Sequence, residues 1–132
     1  MRFLLGLLLG VLAGAMLALF YANLSRAQGA YARGVMVGMQ HHYDALRRQL
    51  ADPQCPPTAS RIPLSRLRSL STEVVPAFIE AREPGPDFEQ RHRALLAAID
   101  AALAAPPADC VGLNAVVQDL RDRCEACHLA FR

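Results

Sequence analysis

Near the end of the chain stands Cys124-Glu-Ala-Cys127-His128, two thiols and an imidazole inside one pentapeptide. Residues three and four apart on a helix share a face, so a helical stretch here makes these side chains act together. Three chemistries use such a set. Two thiols on one face reach the two vinyl groups on one edge of a porphyrin, and the neighbouring histidine then serves as proximal iron ligand, which is how C-x-x-C-H attaches haem. The same pair is also half of a zinc site, in which Cys55 and Cys110 would supply the remaining ligands, although they lack paired spacing. The third is a thiol–disulfide switch, whose first cysteine belongs near a helix N-terminus, where a thiolate is stabilised, in a fold that contains strands.

The elements that position the motif choose among these. Proline clusters at "DPQCPP" (52–57), "EPGP" (83–86) and "APPADC" (105–110) divide the polar part of the chain into four segments. Met36, Met39, Tyr43, Leu46 and Leu50 form an apolar seam at alternating spacings of three and four. Leu64, Leu67, Leu70, Val74 and Phe78 form a second, with Pro76 expected to kink or restart it. Phe88, Leu95, Ile99 and Leu103 form a third, opened by a capping box from Asp87 to Gln90. Leu113, Val117, Leu120, Cys124, Cys127 and Phe131 form the fourth, with Asp109 as its cap. No segment alternates with the period of a strand. The expected fold is all-α, an antiparallel up-down four-helix bundle, with the cysteine motif on the core seam at the C-terminal end of the last helix.

That placement disfavours the switch and the zinc site and leaves covalent haem, one haem c held by thioethers at Cys124 and Cys127 with His128 on the iron. In such a bundle the first and third connections lie at one end, far from the motif. Cys55 sits in the first and Cys110 closes the third, which predicts a disulfide worth about 2 to 4 kcal/mol and an oxidising compartment.

Ahead of the bundle, residues 3–22 carry no charge. At about 1.5 Å per residue such a helix reaches the roughly 30 Å of a hydrocarbon core. The expected organisation is a membrane anchor over 1–26 and the bundle over 27–132. A cleaved signal ending at Ser25-Arg26-Ala27 is the alternative, although its apolar region is longer than the usual 7 to 15 residues or so. Gly6, Gly10 and Gly14, continued by Ala18 and Ala22, form a small-residue stripe suited to a homodimer or a partner helix in the membrane. All fourteen basic residues are arginine, and with Arg2 and Arg26 set aside they balance the twelve acids. The bundle therefore lacks the basic stripe of a nucleic-acid binder. Nothing in it proposes a general base, a nucleophile or a substrate pocket, so no enzymatic role is expected.

A four-helix domain closed by a single "CEACHLAFR", behind a membrane segment or signal, resembles the class II cytochromes c, the cytochrome c′ group. In that family an aromatic and a basic residue follow the motif, as Phe131 and Arg132 do here. The resemblance implies a periplasmic one-electron carrier, single-pass in a bacterial inner membrane. It would serve a redox partner or form part of a respiratory or photosynthetic membrane complex. It also implies that "MVGMQHH" is the distal segment, with Met36 on the open side of the iron as in low-spin members. Met39, His41, His42 and His92 are the rivals for that position. The alternative is a five-coordinate cytochrome c′ that binds small gases such as NO and CO. The family's propionate arginine, four residues before the distal position, is replaced by Ala32, and Arg33 one residue later is the candidate for that contact.

Overall fold

A computed structural model describes residues 2–79 and 85–131. The helices among them are α1 (Arg2–Gln28), α2 (Ala30–Gln49), α3 (Pro57–Thr72), α4 (Val74–Ile79), α5 (Pro86–Ala104) and α6 (Cys110–Ala130). The described residues contain no strand. The chain forms two compact units, Met1–Tyr31 and Ala32–Arg132.

The first unit is α1. Its stretch Gly6–Leu24, 19 residues, is long and apolar enough to cross a membrane. All its side chains are exposed, as a surface made for lipid requires. A Cβ added at Gly6, Gly10 or Gly14 would meet nothing within 4 Å, so the stripe is an open face. The side chains of Ser25, Arg26 and Ala27, where the cleavage alternative falls, lie outside those described.

The second unit is the antiparallel four-helix bundle, with α3 and α4 together making its second rod. Each seam sends a side chain to full burial, Leu46, Leu64, Ile99 and Leu113. Burial of each such side chain is worth about 1.5 to 3 kcal/mol. Helix α5 packs closely on both α6 and α3. Helix α2 is tied through side chains: a Leu70 methyl stands 3.0 Å from where a Cβ of Gly38 would be, so a larger residue there would make Leu70 shift by a few tenths of an ångström.

Proline chemistry places the helix ends, not always where the seams suggest. The second rod breaks at Glu73, not at Pro76 itself, because a proline ring collides with the carbonyl four residues back, here that of Thr72. Pro76 then sits in the first turn of α4, where an absent N–H costs nothing. The capping box at Asp87 does not form. Gly85 is the cap residue of α5, with no side-chain cap bond, and Pro86 takes the first helical position. Asp87 and Glu89 fall in the first turn and complement the helix dipole instead. Asp109 does cap α6, accepting from the Gly112 amide at 2.8 Å. Glu83 and Pro84 of the second proline cluster lie outside the described residues.

Two carbonyls exposed by these interruptions are satisfied across the bundle. Pro63 lies inside α3, buried, and leaves the Ala59 carbonyl without its intrahelical donor. The Gln49 amide, at the end of α2, donates to that oxygen at 2.7 Å. Near the α3–α4 break, the Ser71 carbonyl lies 2.6 Å from His92 Nε2 on α5. A carbonyl only accepts, so His92 donates from Nε2.

At the end opposite the cysteine motif, Cys55 and Cys110 form the expected disulfide, with Cα atoms 5.1 Å apart across 55 residues of sequence. Cys55 has φ of 40°, a left-handed backbone that a non-glycine residue adopts at a cost.

Candidate functional site

The last turns of α6 carry Cys124, Cys127 and His128 on one face, because the helix runs unbroken from its Asp109 cap to Ala130. That face lines a cavity of about 490 Å³ between α6, α5, the α3–α4 rod and α2. Cavities of several hundred Å³ are the size of cofactor sites. Met36, Met39 and Tyr43 reach the same cavity from α2. The structure therefore gathers the motif and the methionine seam at one place, although they are far apart in sequence.

The walls are apolar and aromatic. Phe88 on α5 packs at a tilt against Phe78 on α4 at a ring separation of 5.4 Å and meets Phe131 edge-on at 5.2 Å. Phe131, the residue after α6, thus closes the cavity against α5. Arg132, expected to pair with it in the family pattern, lies outside the described residues. Arginines stand among the lining residues: Arg47, Arg91, Arg121 and Arg123. Arg33, the residue named for a propionate contact, is exposed and does not line the cavity.

Burial, reinforced by the neighbouring Cys127 and Glu125, pushes the Cys124 thiol above its ordinary range. Burial does the same to Cys127, opposed by the charge of Arg91. The two sulfurs are not bonded to each other. A reactive switch needs the opposite, a thiolate stabilised by its surroundings, and the C-terminal end of a helix disfavours one. A consequence is measurable in the chain with free thiols. The unfolded state releases these protons near the ordinary value of 9.0, while the fold holds them to higher pH. Stability is thus fully present below about pH 9 and falls as pH rises beyond it. Urea midpoints at pH 7 and pH 10 should diverge more for this chain than for C124A/C127A. Tyr43, whose phenol is raised chiefly by burial, contributes to both. Equal divergence would contradict the desolvated placement of the thiols.

The zinc alternative loses its other ligands, since Cys55 and Cys110 are consumed by their disulfide. Among the described residues no group of three or more His, Cys, Asp or Glu side chains is arranged to hold a metal ion. Of the histidine rivals, His41 and His42 do not line the cavity. Burial, with His41 and Arg66 nearby, holds the His42 imidazole below its usual range. His92 does line the cavity, with its Nε2 engaged at Ser71.

On α5, Arg91 and His92 are the two lining residues that its seam does not name. A signal was present: they occupy the third and fourth places after Phe88, the slots that continue its seam toward Leu95.

The donor set fits a flat, largely apolar group with anionic edges. It offers two thiols and an imidazole on one wall, thioethers on another, aromatic rings between them and cations among the lining. Compared with known proteins, the chain matches no family model, no curated protein and no solved structure.

Proposed function

We propose that this chain is a membrane-anchored c-type cytochrome of the class II kind, carrying one haem c and acting as a one-electron carrier, not as an enzyme. One observation carries the reading: Cys124, Cys127, His128 and Met36 all line a single cavity. The resemblance noted for "CEACHLAFR" and the cavity's aromatic walls support it. When bound, haem supplies a one-electron ferric–ferrous couple.

The chain's own residues then have distinct tasks. Cys124 and Cys127 would hold the group through thioethers, each formed by adding S–H across a vinyl group, which leaves an uncharged sulfide suited to the burial that already disfavours a thiolate there. His128 is the imidazole ligand, kept beside the attachment points by its place in α6. Met36 is the sixth ligand from α2, and thioether ligation raises the reduction potential relative to two imidazoles. Phe78, Phe88 and Phe131 exclude water from the cavity. In this reading α1 is the anchor and the bundle lies on the periplasmic side of a bacterial inner membrane. Its partner is a redox protein or a membrane complex, and Gly6, Gly10 and Gly14 offer a face for a second copy or a partner helix.

The test is a reduced-minus-oxidised spectrum of membranes together with haem staining on a denaturing gel. A stained band with a low-spin ferrous spectrum is expected, and Met36→Ala should turn that spectrum high-spin and open the iron to carbon monoxide. An unchanged low-spin spectrum in Met36→Ala would remove Met36 as ligand, and Met39→Ala then tests the next thioether. A wild-type ferrous form that is already high-spin and takes up carbon monoxide readily identifies the gas-binding alternative. No staining at all ends the haem reading.

A further inference from the structure

The four arginines lining the cavity are not equivalent. Arg47 pairs with Asp44 at 3.3 Å, Arg121 with Glu125 at 2.7 Å and Arg123 with Asp119 at 3.0 Å, each on its own helix. Arg91 has no ion-pair partner among the described residues. It is exposed, and it lines the cavity from α5 beside the face that α6 presents with Cys124, Cys127 and His128. A guanidinium with five donors and no internal acid, at the edge of an apolar cavity, is a carboxylate-binding group.

We infer that Arg91, and not Arg33, binds a propionate carboxylate of the haem, so that the anionic edge of the group faces α5. This rests on the haem reading above. Arg33 is exposed and is not among the lining residues. The three paired arginines would have to give up a same-helix acid to take on this task. Arg91 gives up no acid among the described residues.

A cation held close to the haem favours the reduced state, which carries one more negative charge, so Arg91 should raise the midpoint potential. The experiment is a redox titration of the full-length, haem-stained protein in detergent, comparing wild type with R91Q, R91K, R91E and R33Q. R91Q should shift the reduction equilibrium about threefold toward the oxidised form, or about 28 mV at 59 mV per tenfold for one electron. R91E should shift it further in the same direction, R91K should recover most of the loss, and R33Q should leave it unchanged. A wild-type potential in R91Q, or an R91K protein as low as R91Q, overturns the assignment. A shift in R33Q alone moves the contact to α2. Arg91 is exposed, so none of these variants disturbs the core, and wild-type protein without covalent haem refutes the parent reading instead of this one.

Discussion

Replacing Cys124 and Cys127 together by serine should abolish haem staining of the denatured chain while leaving the helical fold intact. A hydroxyl does not add to a vinyl group as a thiol does, so no bond survives denaturation. The fold should survive because neither cysteine is among the fully buried side chains and the bundle's core is set by Leu46, Leu64, Ile99 and Leu113. Each single variant keeps one thioether and should still stain. His128→Ala completes the set: it keeps both attachment points, so the band should still stain while the native spectrum loses its imidazole signature. A double variant that stains like wild type would show that the motif is not the attachment site.

The second large effect is on stability. Removing the Cys55–Cys110 disulfide frees a loop that spans 55 residues. In the chain-entropy model that costs about 4 kcal/mol. Domains are stable by roughly 5 to 15 kcal/mol, so the bundle should be left marginal. C55A/C110A should therefore unfold at a much lower urea concentration than wild type. The left-handed backbone of Cys55 sharpens the expectation. With alanine the strain remains; with glycine it is relieved by about 1 to 2 kcal/mol. C55G/C110A should accordingly be more stable than C55A/C110A. Were the oxidised and reduced proteins to unfold at the same urea concentration, the disulfide would have no such role.

Much of the bundle is legible in the order of residues, because an amphipathic helix writes its buried face at a period near 3.6. The residues of the four seams are those that the core or the cavity takes up, and the pairing of Cys55 with Cys110 follows from which connections share an end. What escapes a linear reading is chemistry between rods. Pro63 inside α3 looks like a breaker, and only the fold shows Gln49 donating to the carbonyl that it exposes. The shift of the break from Pro76 to Glu73 follows from a contact four residues back, not from the proline's own position. At Asp87 a local capping pattern lost to its neighbour, since Pro86 already fixes the first helical residue. In the site, the motif's face was readable from spacing alone. Arg91 was marked only by its slot three places after Phe88, because a charged residue on a seam is ordinarily solvent-facing, and only the cavity lining gives it something to serve.

Four cysteines allow three pairings, and the shortest loop available to Cys110 would close on Cys124, not on Cys55. Helix α6 removes that choice. Once formed it holds Cys110 and Cys124 roughly 21 Å apart at 1.5 Å per residue, beyond the reach of any disulfide. Helices form in microseconds or less, whereas disulfides take seconds to hours. The last helix therefore works as a ruler during oxidation, keeping Cys110 out of reach of Cys124 and leaving it to Cys55.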